Sequence, residues 1–338
     1  MNKADENQTK QDQTIQKMTK TEESSASFER KREEAAPAKK RNGKHIAYAI
    51  PKKLAVINDL SGYGRCSLAV SLPVISALGV QGCPIPTSIL SNHTGFPSEY
   101  KYDFTEQMKP YMEAWQQLHI RFDGILTGYM NYDEQVRAAA MFIRKFKQKN
   151  TVVFVDPAMA DHGKLYRGFT PAYADYIKEH LIRKATVIKP NLTEACILTG
   201  FSYQEVLDAA GEHTLRRLKS YVMNMIASLE QLGPKQIIIT GIERNDRIIN
   251  AIADGKEIRF LSAKKAGANR GGTGDIFSSI VTASLVQGMS LSRAVLKAAD
   301  FVSTAIRITD EAGVPVNEGV IFEAIMSKLA STSYADVS

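Results

Sequence analysis

Gly272-Thr273-Gly274-Asp275 stands between a basic, glycine-rich approach, Lys264-Lys265-Ala266-Gly267-Ala268-Asn269-Arg270-Gly271, and an apolar run, Ile276-Phe277-Ser278-Ser279-Ile280-Val281-Thr282-Ala283, that reads as a buried helix. A glycine-rich turn that opens a helix leaves several backbone N–H groups without partners and aims them at one point. The helix dipole adds positive potential there, so the turn suits an anion, commonly phosphate. Asp275, in the first turn, can face the same anion. That arrangement suits a base that takes a proton from an alcohol while the N–H groups hold the phosphoryl group under attack. A capped helix with an acidic first turn reads the same way, so the rest of the chain must decide.

Working outward, Leu54-Ala55-Val56-Ile57 is a short apolar run with the character of a buried strand. Similar runs recur over residues 84–90, 124–127, 151–155, 186–188 and 236–240, with helical patterns between most of them, as over 67–78, 133–149 and 215–232. This alternation predicts an α/β fold, a mostly parallel central sheet flanked by helices on both faces. Runs 248–253 and 257–262, joined through Asp254-Gly255, predict a hairpin and so an antiparallel edge. Two helices after Gly274 and a last one near 318–329 complete a single domain over residues 51–333. Residues 1–50 form a charged extension, disordered or loosely helical; over 1–45, Ile15, Met18 and Phe28 are almost the only large apolar residues.

The formal charge of the 338 residues is +7, and part of the excess sits in Arg30-Lys31-Arg32 and Lys39-Lys40-Arg41. No aromatic stacking pattern or nucleic-acid reader motif accompanies these clusters, so they read as solvated tail charges and nucleic acid is not an expected partner. No apolar run is long enough to cross a bilayer, so no membrane partner is expected. The N-terminus lacks a secretory pattern. Three scattered cysteines, Cys66, Cys83 and Cys196, make no disulfide framework, and a cytoplasmic location is expected.

In parallel sheets, ligands sit beyond the carboxyl ends of the strands. Asn58-Asp59, Ser91-Asn92-His93-Thr94, Gly128-Tyr129, Asp156-Pro157, Lys189-Pro190-Asn191 and Gly241 all follow strand-like runs, and they are expected to converge on one rim. Asp156, with Asp161 five residues on, can hold magnesium directly or through water, or can simply cap a proline turn. Asn191 and Glu194 have capping-box spacing; alternatively both approach phosphates, with Glu194 orienting magnesium-bound water. The Ser91-to-Phe96 loop can hydrogen-bond a heterocycle or a hydroxyl group. Gly62-Tyr63-Gly64-Arg65-Cys66-Ser67 approximates a dinucleotide fingerprint, but serine replaces its last glycine and no acidic residue ends the next strand-like run. A phosphate-binding glycine-lysine loop and zinc-ligand spacings are absent.

The order of Leu126-Thr127-Gly128-Tyr129, Asp156-Pro-x-Met-x-Asp161, Pro190-Asn191-x-x-Glu194 and Gly272-Thr-Gly-Asp275 resembles the ribokinase-like superfamily. Ser91-Asn92-His93-Thr94-Gly95 narrows the resemblance to the pyridoxal (vitamin B6) kinases, over roughly residues 52–330. The resemblance implies a ribokinase-like fold and transfer of the ATP γ-phosphoryl group to the 5′-hydroxymethyl group of pyridoxal, pyridoxine or pyridoxamine. It implies Asp275 as the base, without a large pKa shift, and the N–H groups of Gly272, Thr273 and Gly274 as the anion hole. Asp156, Asp161, Asn191 and Glu194 would surround magnesium and the phosphates, and Thr240 and Gly241 would approach the nucleotide, with Thr273. His93, Thr94 and Tyr129 would meet the pyridine ring, and Asp59 a ring substituent or protonated ring nitrogen. Family members are typically homodimers. The chain departs from animal-type members in Asn58-Asp59-Leu60-Ser61 and in Lys189, whose ammonium group is expected to replace the monovalent cation, potassium, used by many relatives. Alternatives are a hydroxymethylpyrimidine or sugar kinase of the same superfamily, and a non-catalytic vitamer-binding protein.

Overall fold

The structure, a computed structural model, describes residues 50–330. Apart from Ile50, the extension expected over 1–50 lies outside the described residues, as do residues 331–333 at the expected domain end. In chain order the elements are β1 (Lys53–Tyr63), α1 (Ser67–Ala77), β2 (Gln81–Asn92), β3 (Lys101–Asp103), α2 (Thr105–Gln117), β4 (Gly124–Thr127), α3 (Asp133–Phe146), β5 (Val152–Val155), β6 (Ala160–Asp161), β7 (Lys164–Leu165), α4 (Pro171–His180), β8 (Val187–Ile188), α5 (Leu192–Thr199), α6 (Tyr203–Gly211), α7 (Arg216–Glu230), β9 (Gln236–Arg244), β10 (Arg247–Asp254), β11 (Glu257–Lys264), α8 (Thr273–Val286) and α9 (Leu291–Glu311).

Nine strands form one sheet in the order β11-β10-β9-β8-β5-β4-β1-β2-β3, and β6 pairs with β7 apart from it. The six strands from β9 to β2 run parallel. Their continuous apolar runs reflect burial on both faces. Leu54, Val56, Leu126 and Phe154 pack with Leu68 and Val74 of α1, Ile280 of α8 and Phe301 of α9. The alternate residues Ala55, Ile57, Ile125, Val153 and Val155 pack with Phe142 of α3 and Ile226 of α7. Strand order reverses at β1, which lies between β4 and β2. A crevice at such a reversal is where open α/β sheets bind ligands.

The expected hairpin over β10 and β11 is present and forms an antiparallel edge; β3 also pairs antiparallel with β2 at the other edge. Two expectations need correction. Asn58 and Asp59 lie inside β1 rather than after it, where pairing with β2 slips by one residue between Asn58 and Leu60. The region near 318–329 is not an α-helix. It forms 3₁₀ turns at Val316–Glu318 and Glu323–Lys328, separated by Gly319 at φ +77, ψ −148, a conformation essentially reserved for glycine. Among the described residues no helix is long and apolar enough to cross a membrane.

Candidate active site

Two helix starts meet at the carboxyl ends of the parallel strands. Helix α8 opens at Gly272, with φ +79 and no side-chain cap. Its first-turn N–H groups therefore lack acceptors within the helix. Glycine is required at this point, because a Cβ would stand 1.8 Å from the Arg65 carbonyl oxygen. The Thr273 hydroxyl donates back to the Arg270 carbonyl at 3.0 Å and fixes the turn.

Asp275 meets the start of α1. Its Oδ2 accepts the Ser67 N–H at 2.8 Å, and its Oδ1 accepts the Asn58 side-chain amide at 2.9 Å. Ser67 has φ +55, uncommon for a residue with a side chain. Burial pushes the Asp275 carboxyl up to about 6; the Ser67 N–H opposes this, the charges of Asp59 and Asp156 add to it, and the Asn58 amide opposes it. The expectation of a base without a large pKa shift is thus corrected: burial first, and then the charges of Asp59 and Asp156, make ionising Asp275 more costly.

Beneath the turn lies Lys189, almost wholly buried, with Nζ 2.7 Å from Asp156 Oδ2. The same carboxylate oxygen accepts the Ser278 hydroxyl at 2.8 Å. Burial alone would favour a neutral amine, but the carboxylates of Asp156 and Glu194 outweigh it and hold the Lys189 ammonium above its ordinary value. A Cβ built on Gly274 would lie 3.6 Å from this Nζ, so the ammonium sits close to the helix start.

Asn191 and Glu194 form a full capping box on α5: Glu194 N–H donates to Asn191 Oδ1 and Asn191 N–H donates to Glu194 Oε2, both at 2.9 Å. Glu194 Oε1 also accepts the Met159 N–H at 2.8 Å. The loop that supplies this donor passes through Ala158 at φ +41. Burial and the Asp156 charge push the Glu194 carboxyl up, against the pull of Lys189.

One cavity of about 850 Å³ gathers Asp156, Asp161, Lys189, Asn191, Glu194, Thr240 and Gly241 with Gly272, Thr273, Gly274 and Asp275. The rim expected for a phosphate-bearing ligand is therefore assembled. The four residues expected at the substrate ring do not line this cavity. Asp59 is buried, accepts the Ser61 hydroxyl at 3.2 Å, and is held above the usual carboxylate range by burial. Tyr129 is tied to Asn58 through its N–H at 2.8 Å, and burial with the Asp59 charge pushes its phenol up to about 12. Thr94 is exposed. His93 has both ring nitrogens engaged within the protein: Nδ1 accepts the Gly95 N–H at 3.0 Å, and Nε2 lies 2.7 Å from the Asn317 carbonyl oxygen. His93 thus braces its own loop against the Asn317 stretch.

The metal expectation is also refined. Among the described residues no three His, Cys, Asp or Glu side chains are close enough to hold a metal ion. Asp156 is committed to Lys189 and Ser278, and Glu194 to backbone N–H groups. Asp161 keeps a side chain 40% exposed on the cavity wall. This donor set fits magnesium, which is commonly shared between one or two carboxylates, phosphate oxygens and water.

Sequence reasoning put Asn58 on the expected rim without a role of its own and gave no site role to Ser67 or Arg270. Asn58 stood beside Asp59 at an expected strand end, and that polar pair was the available signal. Arg270 is buried and donates to Asp310, at 2.7 Å for the closest pair, and to the carbonyls of Val314, Pro315 and Gly319. It anchors the approach to the Gly272 turn.

Comparison with known proteins agrees with this geometry. The phosphomethylpyrimidine kinase family model matches residues 71–321. A pyridoxine/pyridoxal/pyridoxamine kinase of Bordetella avium is 27% identical over 73% of this chain and 82% of its own length. A hydroxymethylpyrimidine/phosphomethylpyrimidine kinase of Streptomyces coelicolor is 25% identical over 80% of this chain and 92% of its own. A crystal structure from Bacteroides thetaiotaomicron, described provisionally as a phosphomethylpyrimidine kinase, superposes with a TM-score of 0.78 at 33% identity over 85% of this chain and 96% of that one. Its orthorhombic form contains pyridoxal.

Proposed function

The chain belongs to the phosphomethylpyrimidine kinase family, with the ribokinase-like fold of the pyridoxal kinases, and on that premise we propose that it phosphorylates the 5′-hydroxymethyl group of a B6 vitamer with ATP. The observation that carries this reading is the Asp275 carboxylate, held by Ser67 and Asn58 beside the uncapped start of α8 and facing a cavity of about 850 Å³.

In the proposed reaction Asp275 accepts the hydroxyl proton as the new O–P bond forms and the bond from the γ-phosphorus to the bridging oxygen breaks, releasing ADP. The N–H groups of Gly272, Thr273 and Gly274 hold the transferring phosphoryl oxygens, a positioning and charge-stabilising task rather than covalent catalysis. Asn191, Thr240 and Gly241 approach the nucleotide. Asp161, with Asp156 and Glu194, would hold magnesium, which would supply positive charge against the phosphates. Lys189 already places a buried ammonium beside Asp156, so we propose that it takes the place of potassium. Asp59, with Tyr129, Thr94 and the His93 loop, forms the ring end of the site. Asp59 and Tyr129 are linked to Asp275 through Asn58, which accepts both of their backbone N–H groups and donates to the Asp275 carboxylate.

The family description and the Streptomyces relative favour a second reading, hydroxymethylpyrimidine as the alcohol. Asp59 is an acceptor suited to a protonated pyridine nitrogen and to a pyrimidine amino group alike, so chemistry at the ring must be measured. Turnover of magnesium-ATP with pyridoxal, pyridoxine, pyridoxamine and hydroxymethylpyrimidine decides. A kcat/KM for the pyrimidine above that of every vitamer would replace the first reading, and binding without turnover would replace both with a vitamer-binding protein. We also propose a cytoplasmic homodimer. Exposed Ile89 and Tyr102 face each other across β2 and β3, with exposed Tyr100 just before β3, an apolar patch at a sheet edge suited to a second copy.

A further inference from the structure

A second cavity of about 230 Å³ lies on the other face of the β9, β10 and β11 edge of the sheet. Successive strand residues point to opposite faces. Along β10, Ile248 and Asn250 line the large cavity, while Arg247 and Ile249 line the small one. The floor of the small cavity is apolar, formed by Leu215, Leu218, Ile249 and Phe260. Its charged lining is wholly cationic: Lys219, Arg244 and Arg247, with no carboxylate.

These cations are partly fixed and partly unspent. Arg247 donates through Nε and Nη2 to Ser262, at 2.6 and 2.9 Å, which sets the plane of its guanidinium and leaves its remaining donors available. Arg244 donates through Nη2 to the carbonyls of Glu212 and His213, at 3.0 and 3.1 Å. Its Nε is buried with no hydrogen-bond partner among the described residues. A buried donor without an acceptor is costly, and here the donor is charged. Lys219 Nζ stands 5.4 Å from the centre of the Phe260 ring.

We propose that this cavity is a second ligand site, for a small organic anion with a flat apolar body: an aromatic carboxylate or an aromatic phosphate monoester. The anion meets Arg244 and Arg247, and the ring lies on Ile249 and Phe260. The volume is below the usual range for nucleotide-sized ligands, which points to a single ring. Because β10 forms a wall of both cavities, occupancy of one alters nucleotide affinity in the other, and the coupling is reciprocal. The site does not depend on which alcohol the kinase phosphorylates.

The test is calorimetric titration of the full chain with phenyl phosphate, benzoate and inorganic phosphate, each with and without saturating ADP. At least one aromatic anion binds at a single site that ADP does not displace, roughly tenfold or more tighter than inorganic phosphate, whose binding leaves the apolar floor unused. The tighter of the two identifies the anion as carboxylate or phosphate ester. Arg247→Gln weakens it roughly tenfold, the scale of one lost charge-assisted hydrogen bond. Lys219→Gln, on an exposed helix face, weakens it at least about twofold without risk to the fold. ADP affinity changes at least about twofold when the aromatic anion is saturating. Lack of saturable binding by both aromatic anions, displacement by ADP, equal affinity for inorganic phosphate, or affinity unchanged in both variants overturns the site. Unchanged ADP affinity overturns the coupling. Failure of ADP to bind at all would count against the kinase reading and leave the anion titration standing.

Discussion

Asn58 donates its side-chain amide to Asp275 Oδ1 at 2.9 Å across 217 positions of sequence. Its own Oδ1 accepts the N–H groups of Tyr129, at 2.8 Å, and Asp59, at 3.0 Å. One carboxamide thus fixes the proposed base and the loop that follows β4. Asn58→Ala is expected to lower kcat by roughly one to two orders of magnitude, with a smaller change in KM for ATP, since it disturbs positioning more than nucleotide contacts. Steady-state kinetics of the purified variant check this.

The raised Asp275 pKa gives a pH profile with a definite sign. The base works ionised, so kcat/KM should fall as pH drops through about 6. Asn58→Ala removes a donor that favours the ionised form, so its acid limb should move to higher pH. Stability runs the other way. A carboxyl whose folded pKa lies above its unfolded value contributes most below the unfolded pKa, and that contribution is lost as pH rises through the folded one. Asp275→Asn is therefore expected to gain stability relative to the parent between pH 5 and pH 8, by roughly 1–2 kcal/mol after allowing for its partial exposure, while losing turnover by roughly two orders of magnitude or more. Urea unfolding at the two pH values reads the first effect, and a loss of relative stability over that interval would refute it.

Gly272 and Gly271 make a paired test of the turn. Alanine at 272 must hold φ +79 and place Cβ 1.8 Å from the Arg65 carbonyl oxygen, so the turn has to move. Strain of roughly 1–3 kcal/mol, with displacement of the N–H groups, should reduce kcat at least about a hundredfold. Gly271→Ala meets no atom within 4 Å and should be close to neutral. Equal behaviour of the two variants in thermal melts and turnover would contradict this account.

Lys189 and potassium can be separated by salt replacement. If the ammonium takes the cation's place, turnover should be unchanged when potassium is replaced by tetramethylammonium at constant ionic strength. Lys189→Met leaves Asp156 buried without its ion-pair partner, 2.7 Å away in the parent. That loss should cost roughly 3–5 kcal/mol, measured by chemical denaturation. A parent enzyme silenced by tetramethylammonium would end the substitution idea.

Arg270 should behave as a structural anchor with a catalytic consequence. Arg270→Met removes a guanidinium bonded to Asp310 and to three carbonyls. It is expected to destabilise by roughly 3–5 kcal/mol, and Arg270→Lys should rescue little, because an ammonium cannot reproduce the planar set of donors. Denaturant midpoints for both variants check this.

Much of the parallel sheet was legible because strands buried on both faces carry continuous apolar runs, as Val152, Val153, Phe154 and Val155 do. The cavity rim proposed to hold phosphate was legible because glycine and acidic residues at strand ends and helix starts have local signatures, as at Gly272 and Asn191. The rest depended on contacts distant in sequence. No local pattern says that Asn58 meets Asp275 or that Arg270 meets Asp310. Nor could local reading tell a free His93 ring from one braced against Asn317, or foresee that burial, with neighbouring carboxylates, would lift Asp275. The helix expected near 318–329 failed because Gly319 imposes a backbone angle that helices do not use.

The short stretch from Val314 to Gly319 gives its carbonyl oxygens away to three separate parts of the rim: Arg270 takes those of Val314, Pro315 and Gly319, Arg65 takes that of Glu318, and His93 pairs with that of Asn317. Its own side chains need carry no chemistry for it to matter. It works as a keystone, and its length is consequently less free to vary than its residue types: inserting or deleting a single residue would shift the Gly272 turn, the entrance to the first helix and the histidine loop together.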